Sequence, residues 1–162
     1  MQNHLRMALT VALLIFLGGQ SWAVSDEETA LIGLKKVQLQ ISPIEEEVEQ
    51  AGLTTSTLLT DFQSKLMKAG ITVVASEQAL PVLLLNITVF KYMTGPLYLY
   101  QIQVELHEPV HIVRSNALIH PSTYTKPGYF GIGTLISVRE KALDEMDLFI
   151  KTWLAANPKS EK

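Results

Sequence analysis

Val82-Leu83-Leu84-Leu85-Asn86-Ile87-Thr88-Val89-Phe90-Lys91-Tyr92 and Leu97-Tyr98-Leu99-Tyr100-Gln101-Ile102-Gln103-Val104-Glu105-Leu106, joined by Met93-Thr94-Gly95-Pro96, decide the fold. Both runs are rich in β-branched, aromatic and aliphatic residues, and both alternate, as half-buried strands do. The four-residue break carries glycine and proline, which suit a turn. If Tyr92 pairs with Leu97, then Val89 faces Tyr100, Ile87 faces Ile102, Leu85 faces Val104 and Leu83 faces Leu106. All of these are apolar and share one face. The other face pairs Thr88 with Gln101, Asn86 with Gln103 and Leu84 with Glu105. A one-residue slip would mix the two sets, so side chains alone specify the register of this hairpin. The second strand is expected to continue to about Val113.

Working outward, Lys36-Val37-Gln38-Leu39-Gln40-Ile41 alternates and predicts a strand with Val37, Leu39 and Ile41 inward, stopped by Pro43. Leu58, Leu59, Phe62 and Leu66 recur at helical spacing. They predict a helix from Thr54 or Thr55 to Ala69, with a threonine capping its start and Gly70 in the left-handed position at its end. Ile71-Thr72-Val73-Val74 is a short strand. Beyond the hairpin, Ser115-Asn116 turns the chain into a strand near Ala117 to Thr125, where Pro121 marks an edge or a bulge. Residues 126–133 read as a loop. Leu135, Val138, Ala142, Met146, Phe149 and Trp153 step by three and four along a final helix to about Ala156. Ser137 and Glu140 could form its capping box, and Asn157-Pro158 ends it. The order is β-α-β-β-β-β-α. The expected fold class is α+β: two layers, a mainly antiparallel sheet of about five strands with two helices on one face.

The chain has 162 residues and begins with an apolar stretch, Met7 to Leu17, behind Arg6. Ser21-Trp22-Ala23 supplies small residues for a cut, so residues 1–23 read as a cleavable signal peptide. The run ends at Gly18-Gly19-Gln20, short of the roughly 20 apolar residues that a membrane span needs. The expected location is therefore the periplasm or extracellular space of a bacterium, with no transmembrane span after cleavage. No cysteine is present, so a thioether lipid anchor, disulfides and thiol chemistry are all excluded by composition. Residues 24–33 are expected as a flexible lead-in, 34–157 as a single α+β domain and 158–162 as a polar tail. With Arg6 removed the net charge is about −4, which provides no electrostatic footprint for nucleic acid. Glu45-Glu46-Glu47-Val48-Glu49 reads as a solvated loop or first helical turn.

His107-Glu108-Pro109-Val110-His111 matches the H-E-x-x-H of zinc proteases in letters. That spacing works on a helix, where residues four apart share a face. Here the flanking residues have a period of two, and Pro109 would break the helix at a cost of about 3 kcal/mol. On a strand the two histidines stand about 13 Å apart, too far for one zinc ion. Gly128-x-x-Gly131-x-Gly133 precedes a helix and could bind an anion, but it departs from the dinucleotide pattern. A tight turn needing positive φ is the plainer reading. No catalytic residue, cofactor site or metal site is assigned.

One surface stands out. On the non-core face of the hairpin, Phe90 pairs with Leu99 and Tyr92 with Leu97, so the tip is apolar on both sides. Together with Tyr129 and Phe130 these form a candidate contact patch. Either it is exposed, or the 126–133 loop folds over it as a small second core.

Ala69-Gly70-Ile71-Thr72-Val73, the long hairpin, Gly128-Tyr129-Phe130-Gly131 and Phe149-Ile150-Lys151-Thr152-Trp153-Leu154-Ala155-Ala156-Asn157-Pro158 carry a resemblance over roughly residues 34–157. In these the chain resembles a family of small uncharacterised exported bacterial proteins. Its layout looks like two-layer envelope modules such as the amino-terminal domain of the Tol translocation protein. The resemblance implies an envelope fold and no known activity. The expected role is a non-enzymatic domain acting on an unknown protein partner. The alternative is a small-molecule or lipid-binding module with a cavity lined by Tyr98, Tyr100 and the last helix.

Overall fold

The computed structural model describes residues 26–75 and 80–158. The expected signal peptide lies outside them. Along the chain run α1 (Asp26–Ala30), β1 (Lys36–Ile41), α2 (Glu46–Gln50), α3 (Thr55–Ala69), β2 (Thr72–Val74), β3 (Val82–Lys91) and β4 (Tyr98–His107). Then follow β5 (Val110–Ile112), β6 (Ala117–Ile119), β7 (Ser122–Thr125), β8 (Tyr129–Gly133) and α4 (Leu135–Ala156). The class is α+β, with a mainly antiparallel sheet.

The β3–β4 hairpin has the register its side chains demand. Leu83 pairs with Leu106, Leu85 with Val104, Ile87 with Ile102 and Val89 with Tyr100. Tyr92 N–H donates to the Leu97 carbonyl at 2.8 Å, closing the ladder at the turn. The apolar face of this hairpin is the floor of the core. Leu58, Phe62 and Leu66 of α3 and Val138, Ala142, Met146 and Phe149 of α4 are buried with it. Thr54 caps α3 by accepting from Thr57 N–H at 3.2 Å, and Gly70 ends it at φ 104°. A side chain at Gly70 would be strained, because positive φ brings Cβ against the backbone.

Several expectations are corrected. β1 lies between β2 and β3 and runs parallel to both. The end of β2 and the start of β3 sit at one level: Gln38 is opposite both Val74 and Val82. The strand expected from Leu97 to Val113 stops at His107. Glu108-Pro109 intervenes, and Val110–Ile112 instead pairs with Ala117–Ile119 in a separate two-stranded sheet. A proline lacks the N–H that a continuing ladder requires. The strand expected from Ala117 to Thr125 is likewise split at His120-Pro121, and only Ser122–Thr125 joins β4, past a register shift at Leu106/His107.

The segment expected as a flexible lead-in holds α1, and Leu31 just after it is wholly buried. Asn157, at the far end of the domain, fastens this segment. Its side chain accepts from Gly33 N–H at 2.7 Å and donates to the Leu31 carbonyl at 2.8 Å. Trp153 Nε1–H adds a buried bond of 2.8 Å to the Leu34 carbonyl. The cap of α4 is also corrected. It is Thr134, whose hydroxyl accepts from Ser137 N–H at 3.3 Å, rather than a Ser137–Glu140 box.

Candidate protein-contact surface

The largest correction concerns residues 126–133. Their second half is a strand, β8, which pairs antiparallel with the first half of β4. Tyr98 is opposite Gly133, Leu99 opposite Ile132, Tyr100 opposite Gly131, Gln101 opposite Phe130 and Ile102 opposite Tyr129. The segment therefore does not fold over the hairpin tip. It widens the sheet and continues both of its faces.

On the core face β8 presents Tyr129, Gly131 and Gly133. The glycines do not serve a positive φ, since among the described glycines only Gly33, Gly52 and Gly70 adopt one. They serve close approach. A Cβ on Gly131 would stand 2.9 Å from the Tyr100 phenol oxygen, and one on Gly133 would collide with the Ser137 hydroxyl at the start of α4. Tyr129 stacks on Tyr100 with ring centroids 5.9 Å apart. Lys141 Nζ sits 4.3 Å over the Tyr129 ring, a cation–π contact that holds the ring in place. Burial pushes the Tyr100 phenol above its ordinary pKa, with Tyr129 adding to the shift by its charge and its hydrogen bond.

On the outer face, the row Phe90–Leu99–Ile132 crosses three strands side by side, and the next row is Thr88–Gln101–Phe130. Phe90 is 53% exposed, Ile132 53% and Phe130 67%. At the hairpin end Leu97 is exposed and Tyr92 half-buried. Phe90, Tyr92, Leu97, Leu99 and Phe130 are thus brought to one end of one face. Tyr129 is not among them, because neighbouring residues on a strand point to opposite faces. Ile132 was missed. Its signal was present in Phe130-Gly131-Ile132-Gly133, where large and small residues alternate with a period of two.

His107 closes β4, with Nε2 2.9 Å from a Glu105 carboxylate oxygen and Nδ1 3.3 Å from the His120 carbonyl oxygen. His111 lies in β5 of the separate hairpin, and Glu108 accepts from the Thr123 hydroxyl at 2.6 Å. The pair never shares a helical turn. Among the described residues no group of three or more His, Cys, Asp or Glu side chains converges as a metal site. Tyr98 and Tyr100, expected to line a cavity if a small molecule were bound, are packed into the core. A groove of about 360 Å³ lies instead between the α2–α3 link and α4, lined by Leu53, Leu135, Ile136, Arg139, Glu140 and Leu143 among others.

Fold and surface together define an α+β domain with helices on one sheet face and a partly apolar opposite face that no described helix covers. No described helix is long and apolar enough to cross a membrane. No protein-family model matches the chain, and no curated protein does. Among solved structures it is similar to a PelC variant dodecamer from Paraburkholderia phytofirmans, at 19% identity, with 75% of this chain and 86% of that chain covered and a TM-score of 0.44. It is also similar to a minor lipoprotein from Acinetobacter baumannii, at 14% identity, 76% and 93% coverage and a TM-score of 0.31. A third is the rare lipoprotein B of Shewanella oneidensis, at 15% identity, 74% and 89% coverage and a TM-score of 0.27. These are partial likenesses of backbone course.

Proposed function

We propose that this chain is a non-enzymatic protein-interaction domain of the bacterial envelope, and that its contact surface is the outer-face patch of Phe90, Tyr92, Leu97, Leu99, Phe130 and Ile132. The observation that carries this reading is the row Phe90–Leu99–Ile132, in which two of three adjacent apolar side chains are more than half exposed. Contiguous apolar area of this kind on a folded surface commonly marks a partner site. Export rests on the sequence of residues 1–23, and the likeness of layout to the Tol amino-terminal domain belongs to the same proposal. Tyr98 and Tyr100, which the ligand-binding alternative would set around a cavity, are packed in the core cluster, which favours the contact reading.

A photo-reactive residue placed at position 130 in cells should yield protein adducts, and one at position 40, on the polar part of the same sheet, should yield few. Phe90→Asp should abolish the adducts at 130 at a cost of about 1 kcal/mol in stability, from the lost cross-strand pair with Leu99 and the low strand propensity of aspartate. Adducts that persist unchanged in Phe90→Asp would refute the assignment.

A further inference from the structure

We infer that the partner taken by this surface is a second copy of the chain, joined through β8. Two β8 strands pair antiparallel about a twofold axis through Gly131, so that two sheets become one. This rests on the patch being a contact surface and goes further by naming its occupant.

The hydrogen-bonding phase of the sheet leaves the outer side of β8 ready to pair. Tyr92 N–H bonds the Leu97 carbonyl, so alternate pairs Phe90–Leu99 and Thr88–Gln101 exchange main-chain bonds. Ile87 agrees from the other side: its N–H and carbonyl bond the Ser42 hydroxyl, away from β4. Tyr98, Tyr100 and Ile102 therefore turn their main-chain groups toward Gly133, Gly131 and Tyr129 of β8. Phe130 and Ile132 are left with N–H and carbonyl groups pointing out of the sheet.

The strand is also self-complementary. About an axis at Gly131, Phe130 meets Ile132 of the partner subunit, both with outward main-chain groups, so the ladder closes in phase. On the outer face this is an aromatic against a β-branched side chain, a favourable cross-strand pair. On the other face Tyr129 meets Gly133 of the partner subunit, and glycine leaves room for the ring. The row Phe90–Leu99–Ile132 then runs on into the partner's Phe130, and the twofold repeats it, fusing two patches into one band. A single strand displays the same patch to both partners, as a twofold interface requires. Among the described residues no element pairs with the outer side of this edge. Tyr129–Gly133 contains no charge and no proline, although exposed edges are ordinarily blunted by such residues. Lys141, which sits over the Tyr129 ring, is committed to that ring and lies 3.5 Å from Glu145.

The interface is small, so the dimer should be weak and concentration-dependent. Sedimentation of the purified protein over rising concentration should show monomer passing to dimer, with amides of Phe130 and Ile132 gaining hydrogen-exchange protection as it does. Phe130→Pro removes an outward donor without touching the β4 ladder, and Ile132→Lys charges the edge. Each should weaken dimerisation about tenfold or more. Circular dichroism spectra matching the wild type would show that both variants are folded. A protein that stays monomeric at every concentration overturns the inference. So does a dimer whose strength is unchanged in folded Phe130→Pro, or one that leaves the two amides unprotected. If the protein stays monomeric but position 130 still gives adducts lost in Phe90→Asp, the contact surface stands and only its occupant is wrong.

Discussion

Replacing Gly131 by alanine should destabilise the domain by about 1–2 kcal/mol, and the size follows from what the new methyl group meets. Its Cβ would lie 2.8 Å from Tyr129 Cε1, 2.9 Å from the Tyr100 phenol oxygen and 3.0 Å from Tyr100 Cζ. Favourable carbon contacts lie near ~3.5–4.0 Å, so each neighbour must yield by at least about half an ångström. Tyr129 is 39% exposed and can swing away, at the loss of its stacking on Tyr100 and its contact with Lys141. Tyr100 is 5% exposed and cannot. Overpacking of this kind costs about 1–3 kcal/mol. The smaller entropy of an unfolded chain with alanine returns about 0.4–1 kcal/mol. The melting temperature should fall by roughly 3–10 °C. Gly95→Ala is the control: nothing lies within 4 Å of its Cβ, so its effect should stay within about 0.5 kcal/mol. Chemical unfolding of both variants, repeated in a Tyr100→Leu background, measures the contact directly. Removing the phenol should at least halve the cost of the alanine. If Gly131→Ala matches the wild type, or costs as much beside Leu as beside Tyr, the close-approach account of this glycine is wrong.

Two further outcomes can be checked by unfolding experiments. Trp153→Phe should cost about 2–4 kcal/mol, because it strands the buried Leu34 carbonyl and removes ring volume. An effect near that of an exposed substitution such as Leu154→Ala would sink that account. Glu49 accepts from the Thr55 backbone N–H at 2.9 Å and from its hydroxyl at 2.7 Å, and these bonds hold its carboxyl below the usual 4.5. Its stabilisation is full above that value and is lost as pH falls through the lowered one. Stability should therefore decline less between pH 5 and pH 3 in Glu49→Gln than in the wild type, and identical acid limbs would exclude the role.

The hairpin was legible because its information is local. Two strands joined by a short turn have one partner each to find, and their side chains sort into two sets that only one register keeps apart. The helices were legible for the same reason: Leu58, Phe62 and Leu66, or Val138, Ala142 and Met146, carry their own period. The position of β1 was not. Alternation from Lys36 to Ile41 says that one face is buried, but it does not say which strands lie alongside. Those are chosen by crossovers, and both neighbours of β1 arrive later in the chain. Nor was α1 legible, because its anchor is Asn157, well over a hundred residues away. The contact patch was half visible. Phe90 and Leu99 followed from the hairpin register, whereas glycines in Tyr129–Gly133 suggested a loop when their use is to let a strand lie close to Tyr100 and α4.

That use of glycine also bears on why β8, among the described strands, stands open at the edge of the sheet. The strand β2 is only three residues long and offers little to pair with. The strand β7 is entered through Pro121, meets β4 across a register shift and has α1 packed on it. Short length, proline, irregular pairing and a covering helix are recognised ways of closing an edge to other chains. β8 has no proline and no register shift, and α4 meets it on the core face, through Ser137 and Lys141. Its core-facing positions must stay small or stack flat to fit under Tyr100 and α4, so they cannot carry an inward-pointing charge. Its outer-facing positions hold Phe130 and Ile132, where a lysine would have been sterically free, since both are more than half exposed. The fold thus explains the glycines, but packing imposes no reason for the apolar side chains between them. Apolar residues at positions open to charge, on an edge whose main-chain groups point outward, are what a partner pairing with that edge requires.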